Sequence, residues 1–250
     1  MKSESPFISY KSNNVAVKKT GAITELRDMG RNNLDCPIIK FDADNYILKE
    51  TGEMLPFKKT QIRSESPESV KQSLHHLRDI LNANCEDVTR CKWVTLTYAE
   101  NMTDTKQLYA DFQKFNQRLT YYCQKTYHTQ YQYIVCIEPQ GRGAWHLHIV
   151  LIFEKKAPFI ANDTLAEIWG HGFTKTKKLE DVDNIGLYLT AYLTDMDVET
   201  AVQGNMTQLK GKSILEKGSK AFIKGSRLHL YPKGVRIYRT SRNISRPIII

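Results

Sequence analysis

Apolar residues recur along the middle of the chain with the periods of helices and strands. Serine and proline at Ser66-Pro67 suit the first turn of a helix, and the apolar residues that follow have helical spacing. They are Val70, Leu74, Leu77 and Leu81. Alternation then predicts a strand over 93–98. The same criteria predict a helix over 105–127, strands over 131–138 and 145–153, a helix over 162–170, a strand over 172–178 and a helix over 183–196.

The order of these elements is β-α-β-β-α-β-α, which predicts an α+β fold with a ferredoxin-like antiparallel sheet and flanking helices. Short strands are also expected over 37–41 and 45–48, and apolar residues around Pro232-Lys-Gly234 alternate with basic ones as in a hairpin. The chain divides into three predicted parts: an N-terminal extension of uncertain order over 1–65, a main domain over 66–204 and a basic C-terminal hairpin or tail over 205–250.

Two histidines stand two positions apart at the start of the predicted strand over 145–153. Alternate side chains of a strand share a face, so His146 and His148 project side by side. The Gly-Arg-Gly segment before them predicts a hairpin loop, and folding of that hairpin returns Glu138 to the two histidines. Two imidazoles and a carboxylate suit a divalent metal and leave room for water or a substrate oxygen.

A histidine pair with this spacing is also common on the solvent-exposed face of an edge strand. The residues that follow the pair, 149–153, are all apolar and predict a buried strand. Polar side chains in a buried strand need partners. This pattern therefore favours the metal site over an exposed pair.

The net charge of +9 is concentrated at one end of the chain. From Asn205 onward, eleven lysines and arginines stand against a single acidic residue, Glu216, whereas residues 1–204 carry a net charge of −1. A basic segment of this kind is typical of proteins that bind phosphate backbones. A solvated tail is the alternative, but the interleaved apolar residues favour ordered structure and a DNA contact.

Other features of the composition narrow the setting of the protein. The chain has no run of about 18 apolar residues that would span a membrane, and its first residues lack the apolar stretch of a secretory signal. Its five cysteines are an odd number without Cys-x-x-Cys spacing, so we expect reduced thiols. These features predict a cytoplasmic protein without a membrane partner.

Three groups of residues occur in a characteristic order along the chain. They are Thr95-Leu-Thr97, Glu138 with His146-Leu-His148, and Tyr188-Leu-Thr-Ala-Tyr192. Together they resemble the motifs of the His-hydrophobic-His (HUH) endonuclease superfamily, and most of all those of rolling-circle replication initiators of Gram-positive plasmids and related phages. The resemblance covers roughly residues 91–197. It implies that residues 66–204 are an endonuclease domain whose central strand carries a metal-binding His-x-His.

The resemblance also implies an activity, namely metal-dependent nicking and rejoining of single-stranded DNA at a hairpin origin. Glu138, His146 and His148 would hold Mg²⁺ or Mn²⁺ at the scissile phosphate. A tyrosine would attack the phosphorus and leave a 3′-hydroxyl and a covalent 5′-phosphotyrosine. The 3′-hydroxyl would prime a polymerase of the bacterial host. Because the chain has no nucleotide-binding loop, a host helicase is also expected as a partner.

Tyr188 and Tyr192 are the candidate nucleophiles, because residues four apart share a helix face and both could reach one active centre. Tyr192 also falls on an apolar stripe, which makes Tyr188 the first choice. Many members of the resembled family carry a lysine immediately before the second tyrosine, where this chain has Ala191. Candidates for the missing positive charge are Arg142, Lys175 and Lys177.

Several alternatives remain open at this point. A relaxase or a single-strand transposase of the same superfamily would use related chemistry, although relaxases usually place the tyrosine before the histidines and the small transposases are generally shorter. A non-catalytic DNA-binding protein with a structural metal site would bind DNA without forming an adduct. Thr95 and Thr97 are expected to support the metal strand, His171 to face solvent in a turn, and Trp145 either to stack on a base or to pack in the core.

Overall fold

The computed structural model describes residues 15–28, 36–58, 67–140, 143–179, 186, 189–190, 193, 196–197, 214–217, 220–223, 227–232 and 234–249. Its helices are α1 (Pro67–Asn84), α2 (Thr105–Tyr127) and α3 (Asn162–Trp169). Its strands are β1 (Val15–Thr20), β2 (Ile23–Asp28), β3 (Ile38–Lys40), β4 (Asn45–Leu48), β5 (Met54–Pro56), β6 (Cys91–Thr97), β7 (Tyr131–Pro139), β8 (Trp145–Phe153), β9 (Thr174–Lys177), β10 (Met196–Asp197), β11 (Ile214–Lys217), β12 (Lys220–Ile223), β13 (Tyr238–Thr240) and β14 (Ile248–Ile249).

Five strands form the main sheet in the order β13-β7-β8-β6-β9, and every neighbouring pair is antiparallel. The strand that carries His146 and His148, β8, is therefore the central strand. The predicted α+β class with an antiparallel sheet and flanking helices is confirmed. Residues 149–153 of β8 are at most 5% exposed, because both faces of a central strand are covered, and the predicted buried strand is confirmed as well.

Helix α2 covers one face of this sheet. Its N-cap, Asp104, accepts hydrogen bonds from the backbone N–H groups of the first turn, and its apolar stripe is buried. The stripe includes Leu108, Phe112, Phe115 and Leu119. The Phe112 ring lies 5.2 Å from the ring of Tyr133 on β7. Tyr133 and Glu138 have opposite parity on the same strand and therefore point to opposite faces. Helix α2 thus leaves the face of Glu138 and the two histidines to other partners.

The N-terminal part contains a hairpin that the sequence pattern does not predict. Strands β1 and β2 pair along their whole length, and β1 also pairs with β14 near the end of the chain. An ion-pair network joins the hairpin to α1, with Lys18 Nζ 2.9 Å from Asp79 Oδ2 and Arg78 Nη2 2.5 Å from Glu25 Oε1. The two short strands expected near residues 38 and 45 are confirmed as β3 and β4, and β5 completes their sheet.

Gly21 fixes the turn of this hairpin against α1. Its φ is +62°, and a Cβ at this position would lie 2.4 Å from the backbone oxygen of Asn82. We expect Gly21→Ala to lower the free energy of unfolding by at least about 2 kcal/mol, because the left-handed conformation alone costs a non-glycine residue about 1–2 kcal/mol and the overlap adds to it. Urea unfolding measures the loss.

Gly52 is the matched control, since its φ of +71° is similar but no atom lies within 4 Å of a Cβ built there. Gly52→Ala should therefore cost only the backbone term. Equal losses in the two variants would contradict the docking of the hairpin on α1.

The hairpin expected around Pro232-Lys-Gly234 is wrong. Residues Leu228–Leu230 form a 3-10 turn, and β13 pairs with β7 at the edge of the main sheet. Proline lacks the backbone N–H that a hairpin ladder would need, whereas the open edge of β7 offers unpaired backbone groups. Pairing at that edge buries Tyr231 and Ile237, which are 1% and 3% exposed. Hydrophobic burial and sheet extension therefore determine the path of this segment.

Two expectations from composition concern the chain as a whole. All five cysteines lie in the described part of the chain, and each is a free thiol. None of the described helices is both long and apolar enough to cross a membrane.

Candidate metal centre

The β7–β8 hairpin brings the three predicted ligands together. Glu138 lies near the end of β7 and pairs directly with His146 near the start of β8, while His148 pairs with Cys136. All these residues share one face of the sheet because paired residues of neighbouring strands point the same way. One ligand atom from each of Glu138, His146 and His148 lies within 4.8 Å of the others.

This spacing fits a single metal ion. Ligand atoms that are each about 2.1 Å from an ion lie roughly 3–4 Å apart, so small side-chain adjustments close the set. Glu138 is only 6% exposed, whereas both histidines are half-buried. The set is therefore anchored on its Glu138 side and accessible on its histidine side, as a site that accepts a further ligand must be.

Hydrogen bonds orient His148 within the set. Its Nε2 contacts Glu138 Oε2 in a short hydrogen bond, and its Nδ1 lies 3.2 Å from Oγ1 of Thr95, the residue that pairs with it on β6. The Trp93 ring packs against the imidazole, with 5.7 Å between the ring centroids. Contact of one ring nitrogen with a hydroxyl fixes which nitrogen faces the ligand site. Thr97 Oγ1 instead donates to the carbonyl of Phe173.

Arg227 is a fourth charged residue at this centre. Its Nη1 lies 2.8 Å from Glu138 Oε1 and donates a hydrogen bond of 2.9 Å to the carbonyl of Pro139. The side chain is 12% exposed. Arg227 and His148 therefore use different oxygens of the same carboxylate, so the Arg227 contact persists when Oε2 turns to another partner. A guanidinium in this position fixes the orientation of the carboxylate.

These neighbours also determine the charge state of Glu138. Burial alone would raise the pKa of its carboxyl group, but the hydrogen bond from His148 and the positive charges of His148, Arg227 and His146 outweigh it. The pKa of Glu138 consequently lies below its usual value. Glu138 is a carboxylate at neutral pH, the form in which it can bind a metal ion.

A buried tyrosine connects the strand of Glu138 to the helical segment around residue 190. The hydroxyl of Tyr231 lies 2.8 Å from the Ile137 carbonyl and 3.0 Å from the Leu193 carbonyl. Leu193 and the nearby Leu189 are helical and buried. Burial, and then the negative charge of Glu138, raise the pKa of Tyr231 well above its usual value. Tyr231 is therefore a protonated anchor and lacks the exposure that a nucleophile needs.

Gly186 holds the other end of the same helical segment against α1. Its N–H donates to Oδ1 of Asn82 at 3.0 Å, and a Cβ at Gly186 would lie 2.5 Å from the backbone oxygen of Arg78. Only glycine allows so close an approach of two backbones. The segment that carries the two candidate tyrosines is thus fixed at both ends.

The other residues singled out in the sequence have different locations. Tyr188, Tyr192 and Arg142 lie outside the described residues. Lys175 pairs with Thr95 and shares the face of His148, but one strand separates the two. Lys177 lies over the Trp93 ring at 5.3 Å.

His171 and Trp145 do not join the three candidate ligands. His171 Nε2 lies 3.6 Å from Asp111 of α2, on the opposite face of the sheet. The Trp145 ring is 4% exposed, and its Nε1 donates to the carbonyl of Thr103. Of the two roles weighed for Trp145, core packing is the one that its burial supports.

Arg227 and Tyr231 are the residues at this centre that the sequence alone does not reveal. The basic excess after residue 205 marks the region but not the residue, and no local pattern links Arg227 to a carboxylate 89 positions earlier. An arginine immediately before a 3-10 turn carries no signal of its own.

Comparison with known proteins gives one match. The model of a family described as replication-associated proteins of the ORF2 type matches residues 91–197, less than half of the chain. This range begins with β6 and includes Glu138, His146, His148 and both candidate tyrosines. The match supports a role in DNA replication and is consistent with a rolling-circle initiator. No curated protein and no solved structure matches the chain.

Proposed function

We propose that this protein is a rolling-circle replication initiator of the HUH endonuclease superfamily, which nicks and rejoins single-stranded DNA at a hairpin origin. The observation that carries the proposal is the convergence of Glu138, His146 and His148 on one face of the central strand, with an accessible side. The match over residues 91–197 supports it independently, because that family consists of replication-associated proteins.

The residues of the centre would divide the work in a simple way. Glu138, His146 and His148 would hold Mn²⁺ or Mg²⁺, and imidazole ligands favour Mn²⁺ of the two. Such an ion would bind the scissile phosphate and stabilise the negative charge that develops on it. Thr95 would orient His148, and Arg227 would orient Glu138 through the oxygen that His148 does not contact. Arg227 would also supply the positive charge that the resembled family obtains from the lysine missing at Ala191.

Covalent chemistry would come from Tyr188 or Tyr192, with Tyr188 as the first nucleophile. The phenolic oxygen would form a bond to phosphorus, the bond from phosphorus to the 3′ oxygen would break, and the leaving oxygen would take up a proton. The anchoring of Leu193 to Ile137 through Tyr231 supports this step, because Ile137 is the immediate neighbour of Glu138. The phosphotyrosine would keep the bond energy needed to rejoin the strand.

The products define the partners. A free 3′-hydroxyl would prime a host polymerase, and a host helicase would separate the strands ahead of it. A single-stranded hairpin would be the substrate, because its unpaired bases and accessible backbone allow a phosphate to enter the site. A relaxase or a single-strand transposase would share the same centre, and the order of histidines before tyrosines favours the initiator.

Metal-dependent cleavage tests the proposal. We expect the wild-type protein, incubated with Mn²⁺ and a labelled single-stranded hairpin from the origin of its replicon, to produce a covalent protein–DNA band on a denaturing gel. The variant Tyr188→Phe/Tyr192→Phe should give no band, because no other nucleophile is proposed. Single variants should show which tyrosine acts first, and Tyr188→Phe should have the larger effect.

Tyr121→Phe is the matched control, since this tyrosine is 65% exposed on α2 and lies on the other side of the fold from the metal centre. It should retain the band. Binding of the hairpin without any adduct, under all metals and with the correct origin, would instead support a non-catalytic DNA-binding protein with a structural metal site.

A further inference from the structure

An open groove runs along β13, the outer strand of the main sheet. A cavity of about 590 Å³ is lined by residues that include Arg236, Arg239 and Arg246. A second cavity of about 530 Å³ is lined by residues that include Lys106 and Tyr109. Both cavities share Arg236 and Arg239, so they form one continuous depression, called the β13 groove below.

The β13 groove has a single sign of charge. Three arginines and one lysine line it, and none of the described residues that line either cavity is acidic. Arg236, Arg239 and Arg246 are all exposed. Concave surfaces with clustered cations of one sign concentrate the field and attract polyanions. The charge therefore favours a phosphate backbone as the ligand of the groove.

Arg239 gives the groove a flat, fixed surface. Its guanidinium lies 3.3 Å from the centre of the Tyr109 ring, a stacking distance, and the Tyr109 hydroxyl donates a 2.7 Å hydrogen bond to the carbonyl of Arg236. The tyrosine thus fixes the guanidinium plane while the side chain stays exposed to solvent. Guanidinium planes and aromatic rings are the surfaces on which unpaired bases stack. Bases in a duplex are already stacked on each other, so this feature favours a single strand.

The β13 groove lies close to the candidate metal centre. Tyr238 of β13 pairs with Cys136 of β7, which pairs with His148 of β8. These residues form one row across three neighbouring strands, so two strand spacings, about 10 Å, separate the groove from His148. A strand of DNA can cover this distance with the nucleotides next to the scissile phosphate.

We propose that the β13 groove binds the single-stranded DNA segment that flanks the cleavage site, with a base stacked on Arg239 and phosphates paired with Arg236 and Arg246. This proposal rests on the proposed function for the identity of the DNA. The groove would position the strand relative to the metal centre, while the metal centre performs the cleavage.

Fluorescence anisotropy with a labelled single-stranded oligonucleotide, in EDTA, tests the groove without cleavage. We expect Arg239→Ala/Arg246→Ala to bind at least about tenfold more weakly than the wild type. The slope of log affinity against log salt should fall by about 1.4, since each lost phosphate contact on a single strand contributes about 0.7. Wild-type affinity and slope in this variant would overturn the proposal.

Lys114→Ala/Lys125→Ala is the matched control. It removes the same charge from exposed positions on α2, and Lys125 also lies over an aromatic ring, that of Tyr121. Lys125 is about 24 Å from Tyr109 along the helix, far from the groove. This variant should bind like the wild type. Equal weakening in both double variants would mean that net charge alone explains binding, and would overturn the groove as a site.

Arg239→Lys separates stacking from charge. Lysine keeps the positive charge but lacks the flat guanidinium, so we expect about fivefold weaker binding of the single strand with an unchanged salt slope. A wild-type protein that prefers a duplex of the same sequence would overturn the single-strand assignment. Because these measurements need neither metal nor a tyrosine, their outcome is independent of whether the cleavage assay supports the proposed function.

Discussion

His148→Ala is expected to abolish high-affinity Mn²⁺ binding and to reduce nicking of the hairpin DNA by at least about a thousandfold. The imidazole is one of three predicted ligands and also forms a hydrogen bond with Glu138, so its loss leaves two ligands and removes a partner from the buried carboxylate. A bound metal contributes several kcal/mol to stabilisation of a phosphate transition state, and each 1.4 kcal/mol is about a factor of ten in rate. Isothermal titration calorimetry and the gel assay measure the two effects.

His76→Ala is the control for this experiment, because His76 is an exposed histidine of α1. It should leave metal affinity and nicking unchanged. Thermal unfolding of both variants would show that each is folded. Full nicking by a folded His148→Ala protein would rule out the proposed ligand set.

Arg227→Ala is expected to weaken Mn²⁺ binding by about 10- to 100-fold, the usual effect of removing a group that orients a metal ligand. Without the guanidinium, Glu138 Oε1 loses its 2.8 Å ion pair and the carboxylate is free to rotate. Arg227→Lys should recover only part of the affinity, since one ammonium group does not reproduce the planar contact with both the carboxylate and the Pro139 carbonyl. Calorimetric titration with Mn²⁺ gives the affinities directly.

Arg90→Ala provides a matched comparison, because Arg90 Nε also donates to a strand carbonyl, that of Phe153 at the far end of β8. Its removal should leave Mn²⁺ affinity as in the wild type. If Arg227→Ala bound Mn²⁺ as tightly as Arg90→Ala, Arg227 would have no part in positioning Glu138.

The sequence predicts the centre of the fold well for physical reasons. Strand alternation places His146 and His148 on one face whatever the rest of the chain does, and a short hairpin leaves few positions for Glu138 other than opposite His146. The apolar run after the histidines requires burial on both faces, which only a central strand provides. These are local rules, and they apply within about 15 residues.

The parts that the sequence does not predict depend on contacts between distant segments. Arg227 reaches Glu138 only because the chain returns along β7 to form β13, a pairing that no periodicity encodes. The β1–β2 hairpin is polar along much of its length and is held by an ion-pair network with α1 rather than by a hydrophobic face. Such elements become visible only when their partners are known.

Identification of the covalently modified residue tests the central claim most directly. Trypsin cleaves after Lys178 and Lys210, so one peptide, 179–210, contains Tyr188 and Tyr192 and no other tyrosine. After reaction with hairpin DNA and Mn²⁺, followed by nuclease digestion, we predict a nucleotide attached through a 5′-phosphate to Tyr188 in tandem mass spectra of this peptide, or to Tyr192 if the order of the two is reversed. A modified residue elsewhere, or an unmodified peptide from DNA that has been cleaved, would contradict the proposed tyrosine mechanism.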